Sequence, residues 1–208
     1  MDGMPEHASD LARRAVEQGV EPERALDQAC VPAMDYVGQR FGCREMYLPD
    51  VMAASEAMKA AVGVLEPEMR RRGGERKTRG TVVLGTVKGD IHEIGKSLVS
   101  IMLSAAGFQV HDLGVSVATE AFAAKSREVG ADIVGVSALL TTTMTVQRSV
   151  VESLDRAGLR PQLKIMVGGA PVTRKWAEEI GADGYAKNAA EAVTLARDFM
   201  AAKLGACR

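Results

Sequence analysis

Aromatic residues make up only 4% of this 208-residue chain, so any core must be packed from Val, Ile, Leu, Ala and Met. Cysteine is scarce as well. Cys30, Cys43 and Cys207 share no CxxC spacing, which argues against an iron–sulfur or zinc site and fits reduced thiols in a cytoplasmic protein. Excess charge of either sign is lacking: the net charge of −1 argues against non-specific nucleic-acid binding. No apolar run is long enough to span a bilayer, so no membrane role is expected. MDGMPEHASD has no basic region followed by an apolar one, and no signal peptide is expected from it. Histidine occurs only three times, and one instance, His92, sits in the unusual stretch GTVKGDIHEIGKS. What is present is a 47% apolar content, enough to pack a core.

The first third of the chain reads as helices. DLARRAVEQGV is a short amphipathic segment ending near Gly19, and EPERALDQAC opens with Pro22 near its first turn. Pro32 is expected to break or kink that helix. AMDYVGQRFG runs to Gly42. A longer segment opens at Pro49, where Val51, Ser55, Met58, Val62 and Leu65 are expected to share one face. Six basic residues then lie between Arg70 and Arg79 around Gly73 and Gly74, reading as a solvated linker over about residues 67–80. The expected domains are a helical bundle over 1–76 and a second domain over 77–208.

From Thr81 the period changes. TVVLGTV, FQVHDLG, ADIVGVSALL, LKIMVGGA and DGYAK are short β-rich runs, each followed by a helical segment. Strict alternation means βαβ units and a parallel sheet. Five units predict an α/β, flavodoxin-like (Rossmann-like) five-stranded parallel sheet with helices on both faces. Ligands of such sheets bind outside the carboxyl ends of the strands. That places Asp90 and His92 after the first strand, and Ser137, Leu139 and Thr141 to Thr143 after the third. Gly168 and Gly169 follow the fourth strand, and Tyr185 ends the fifth. A loop histidine can bind a metal through one nitrogen while its other N–H seeks an acceptor, which Asp90 can supply. No second or third histidine or cysteine lies near, so a zinc site is a poor fit. A single protein ligand suffices only for a metal that arrives inside its own ring, as in a tetrapyrrole-type cofactor.

GDIHEIGKS resembles the Asp-x-His-x-x-Gly signature of cobalamin-binding domains. Ser137-Ala138-Leu139 resembles their Ser-x-Leu element, and Gly168-Gly169 their paired glycines. Upstream, MYLPDVMAASEAMKAA is similar to the helical cap of methionine synthases and of small corrinoid proteins serving methylamine, methanol or methoxyarene methyltransferase systems. The resemblance implies cobalamin, a cobalt corrinoid, bound with its own base displaced and His92 on the metal. It implies that Asp90 holds the far nitrogen of His92, with Ile91 inside the signature, and that Thr143 continues the relay. Gly95 would let the next helix start close to the cofactor's nucleotide tail. Ser137, Leu139 and Thr141 would line the tail's slot, with Gly168, Gly169 and Tyr185 deeper. Tyr47 and Leu48 would belong to the cap over the cobalt.

The implied function is that of a methyl carrier rather than a complete enzyme. A substrate-specific methyltransferase would load the methyl group, and a second methyltransferase would pass it to tetrahydrofolate or coenzyme M. A reductive activation protein would be a third partner. An adenosylcobalamin mutase subunit and a cobalamin-based regulatory module are the alternatives; the YLPDVM cap argues against the first. The cap also consumes the N-terminal residues that a DNA-binding domain would need. A receiver or flavin-binding domain is a third alternative, although no acidic pair follows the first strand. His111, alternating within FQVHDLG, reads as structural.

Overall fold

A computed structural model describes residues 5–72 and 78–206. The chain divides into two compact units. One holds the N-terminal helices together with Ala105–Gly107; the other begins at Arg79 and holds the sheet. The basic linker lies partly outside the described residues.

The helical unit contains α1 (Pro5–Glu17), α2 (Pro22–Ala25), α3 (Val31–Gly42) and α4 (Leu48–Arg71). Pro32 does not end the helical path. A single π turn, Leu26–Cys30, joins α2 to α3, and Val31 N–H donates to Leu26 O, five residues back. The wider turn carries the chain past a proline that has no N–H to donate. Leu26, Val31, Met34 and Val37 are buried along this path.

The buried stripe of α4 is Val51, Ser55, Met58, Ala61, Leu65 and Met69. Ala61 therefore takes the place expected for Val62, which is only half-buried. α4 also runs on to Arg71, into the segment expected to be linker. Glu68 explains the extension: it accepts from Arg71 Nε at 2.8 Å and from Arg72 Nε at 2.7 Å. These contacts hold its carboxyl down at about 2. Met69, buried, anchors the same turn.

The second unit alternates strictly, as its period predicts. β1 (Thr81–Thr86), β2 (Gln109–Asp112), β3 (Ile133–Ser137), β4 (Lys164–Gly168) and β5 (Gly184–Tyr185) form one parallel sheet in the order β2-β1-β3-β4-β5. Between and after them run α5 (Ile94–Ala105), α6 (Thr119–Val129), α7 (Thr141–Arg156), α8 (Arg174–Glu179) and α9 (Ala189–Ala206). Val82, Val83, Val134, Val136, Ile165 and Val167 are buried, as near-continuous apolar strands of a two-faced sheet must be.

The register matters most at the carboxyl edge. Thr86 pairs with Ser137, and Ser137 with Gly168, so β1, β3 and β4 leave the sheet on one rung. The strand order reverses between β1 and β3, which puts the switch point of the fold on that rung. Among the described residues no helix is long and apolar enough to cross a membrane.

Candidate cofactor site

The loop after β1 is held at several points. Thr86, fully buried, donates its hydroxyl to His92 O at 3.0 Å. Val87 N donates to Ser137 O at 3.0 Å, and Asp90 N to Val87 O at 3.1 Å. From the β2 side, Ser116 N donates to Asp90 O at 2.9 Å, while Ser116 Oγ accepts from Gly89 N at 3.1 Å.

At the centre is Asp90, whose relative exposure is 0%. Its Oδ1 accepts from His92 N at 3.1 Å and from His92 Nδ1 at 2.7 Å. Its Oδ2 accepts from Leu139 N and from the Thr143 hydroxyl, both at 2.7 Å. Burial by itself would raise the carboxyl's pKa. The bonds from Thr143, Leu139 and His92 outweigh it and hold the group well below the usual carboxylate range. An ionised carboxylate only accepts, so Nδ1 of His92 carries the hydrogen. In the neutral ring Nε2 then keeps the lone pair, on a side chain that is 44% exposed.

Large apolar side chains stand exposed on the same loops. Ile91 is 76% exposed and Ile94 80%, on either side of His92 in the chain; Leu139 and Leu140 follow β3 at 38% and 43%. Among the described residues no group of three or more His, Cys, Asp or Glu could hold a metal ion. The edge thus offers one imidazole nitrogen in an apolar setting. That fits a metal already enclosed in a large, flat, partly apolar ring, and does not fit a bare ion.

The other expected residues lie on α5 and α7, at the ends of β3, β4 and β5, and in the helical unit. Thr143 is buried on the first turn of α7. Ser137 is half-buried at the end of β3, and Thr141 is exposed at the start of α7. Tyr185, half-buried at the end of β5, packs against the apolar core. Gly95 has no positive φ, and a Cβ there would meet nothing within 4 Å, so neither conformation nor packing demands glycine. The space beside it is free for a ligand. Gly168 and Gly169 differ. A Cβ on Gly169, at φ +134°, would lie 1.7 Å from Ala138 O, and one on Gly168 3.0 Å from Ala186 O. The chain's own backbone crossing requires them. Tyr47 and Leu48 lie in the helical unit, at the N-cap and first residue of α4. Tyr47 is 68% exposed, and its N–H donates to Asp50 Oδ2 at 2.8 Å.

Sequence reasoning missed three contributors. Ser116 was invisible because it acts across loops from a positive-φ position. Lys96 carried no sequence signal of its own burial. Its side chain is fully buried and ion-paired to Asp112, whose other oxygen accepts from Gly114 N at 2.9 Å. The pair fastens α5 to the end of β2, and the Asp-Leu-Gly turn after a strand was its one sequence signal. Gln147, also fully buried, is the third.

A parallel sheet with one exposed histidine at its switch point, held by a buried aspartate, has the architecture of a cofactor-binding α/β domain. The comparisons specify the cofactor. The B12 binding domain family matches residues 80–194, and a second family described as B12 binding domain matches residues 1–66. The chain belongs to the B12-binding domain family, and its cofactor is a corrinoid. A corrinoid protein of Desulfitobacterium hafniense is 44% identical over 201 residues, 96% of this chain and 93% of that one. Trimethylamine corrinoid protein 2 of Methanosarcina acetivorans is 48% identical over 188 residues, 90% of this chain and 87% of the relative. Among solved structures, the methanol:cobalamin methyltransferase complex MtaBC from Methanosarcina barkeri matches with a TM-score of 0.86 and 29% identity. That match covers 96% of this chain and 75% of the other.

Proposed function

We propose that this protein is a methyl carrier. It would accept a methyl group from a substrate-specific methyltransferase and deliver it to a second methyltransferase that uses tetrahydrofolate or coenzyme M. When bound, the corrinoid supplies the cobalt that takes up and releases the methyl group. The observation that carries the reading is the buried Asp90 fixing Nδ1 of an exposed His92 between Ile91 and Ile94. In this reading His92 Nε2 would hold the cobalt in place of the corrinoid's own base. Asp90 and Thr143 orient the ring and hold the proton on Nδ1. Gly95 leaves room for the nucleotide tail, which Ser137, Leu139, Thr141, Gly168, Gly169 and Tyr185 border. The assignment of Tyr47 and Leu48 to the cofactor rests on family resemblance.

Relatives named for trimethylamine and dimethylamine, and the methanol complex, support methyltransferases as partners. A reductive activation protein completes the proposed set, in a cytoplasmic one-carbon pathway. The test is reconstitution with hydroxocobalamin followed by gel filtration. We expect about one corrinoid per chain, from one histidine site, and a visible spectrum that changes in His92→Ala. Retention of no corrinoid, or identical spectra, would overturn the proposal.

A further inference from the structure

Gln147 lies one turn beyond Thr143 on α7 and is 0% exposed. Its Nε2 donates to Val136 O at 2.9 Å and to Gly168 O at 3.1 Å. Those carbonyls belong to the last two rungs of β3 and β4, and Ala138 N also donates to Gly168 O at 3.1 Å. Its Oε1 accepts from Trp176 Nε1 at 3.0 Å. An indole only donates and a carbonyl only accepts, so the amide's orientation is fixed by its partners. Neither an apolar residue nor a carboxylate can serve both ends.

The position is otherwise apolar. Val150, Val151 and Leu154 line the buried face of the same helix, with Val134 and Val136 in the same core. An amide buried there costs stability unless every bond is made. The two bonds it donates end where Ser137–Leu139 and Gly168–Gly169 leave the sheet. Trp176, the only tryptophan in the chain, brings in α8. Its backbone N–H donates to Thr173 Oγ1 at 3.2 Å, and the Arg148 guanidinium lies 5.1 Å from its ring centroid.

We propose that Gln147 is a positioning residue of the corrinoid slot. It fixes the β3 and β4 exits relative to α7, and so keeps the Thr143 hydroxyl on Asp90. Through the shared amide, Trp176 reports the state of the slot. The proposal rests on the corrinoid reading above, and its test separates the two.

The test compares the parent with Gln147→Met, Trp176→Phe and Val150→Ala. The last removes buried volume from α7 without touching either carbonyl. In the cofactor-free proteins, amide hydrogen exchange is measured at Ala138 and Leu139 and scaled to each variant's global stability. Gln147→Met should lose about tenfold in protection there, one hydrogen bond's worth. Val150→Ala should lose none beyond its stability change. After addition of hydroxocobalamin, Gln147→Met should bind about tenfold more weakly and lose part of the His92-dependent absorption, while Val150→Ala keeps both. Tryptophan emission should shift on loading in the parent and not in Gln147→Met. In exchange and affinity, Trp176→Phe, which keeps two of the three bonds, should fall between, and it carries the comparison if Gln147→Met does not fold. Equal exchange, affinity and spectra in Gln147→Met and Val150→Ala would make Gln147 an ordinary core residue and overturn the proposal. A parent that binds no hydroxocobalamin would overturn the corrinoid reading, and with it the slot's ligand; the exchange comparison would still decide the positioning.

Discussion

Asp90 and His92 meet twice on one oxygen: Oδ1 of Asp90 takes both the backbone N–H and the ring Nδ1–H of His92, at 3.1 and 2.7 Å. The ring is therefore fixed in tautomer and in direction by a residue only two positions away. His92→Ala removes one of four donors to a buried carboxylate and should cost about 1–2 kcal/mol, measured by urea unfolding. Its larger effect should be spectral, on the reconstituted protein.

Asp90→Asn should do more damage to the fold. An asparagine cannot accept on both sides, so its NH2 faces either the His92 donors or those of Leu139 and Thr143. A loss of about 1–3 kcal/mol is expected at neutral pH. The folded-state pKa of Asp90 is depressed. Its contribution to stability is thus complete above the unfolded value of about 3.9 and is lost as pH falls toward the folded value. Unfolding curves of parent and variant should be furthest apart between about pH 5 and 8 and should converge below about pH 4. A gap that widens in acid would contradict this.

Thr143→Val keeps the shape of the side chain and removes the hydroxyl that Asp90 Oδ2 accepts at 2.7 Å. It should cost about 1–3 kcal/mol and weaken corrinoid retention. Thr143→Ser should restore most of both, because the hydroxyl and not the methyl makes the bond. Calorimetry on the three proteins separates these outcomes.

Two glycines should part company. Gly169→Ala puts a methyl 1.7 Å from Ala138 O at φ +134°, so the sheet unit should be badly destabilised or insoluble. Gly95→Ala meets nothing within 4 Å and should fold like the parent. If the free space beside Gly95 is where the cofactor's tail lies, its affinity for hydroxocobalamin should nonetheless fall. Normal affinity in Gly95→Ala would remove that residue from the slot.

Lys96 and Asp112 should respond unequally. Lys96→Met leaves behind a carboxylate that is 30% exposed and can be hydrated, whereas Asp112→Asn leaves a fully buried ammonium without its anion. The second change should cost more, about 3 kcal/mol or above. Melting temperatures in the reverse order would show that Asp112 matters chiefly through the Gly114 turn.

The sheet and its central pair were legible because both depend on short-range pattern. The alternation of strand and helix from Thr81 onward is a period, and Asp90, His92 and Gly95 lie within six residues. Thr143 could be placed by its distance from Ser137. What stayed hidden acts over long separations without a motif. Ser116 braces Gly89 from 27 residues away, and Gln147 reaches Trp176 across 29. A buried glutamine looks in sequence like any polar position on a helix. The packing demand on Gly168 and Gly169 was hidden for a related reason: the backbone oxygens they must avoid, Ala186 O and Ala138 O, are brought near by the sheet.

The π turn at Leu26–Cys30 bears on how the helical unit tolerates change. Leu26 and Val31 are both buried, yet they stand five residues apart, which an ordinary α-helix would rotate about 140° out of line. The wide turn absorbs that surplus residue, so the stretch works as a phase adjuster between two regular helices. What it must conserve is its length. Substitutions at Gln28 or Ala29 should pass almost unnoticed, while insertion of one further residue there would swing Met34 and Val37 off the buried face and turn an interior stripe outward.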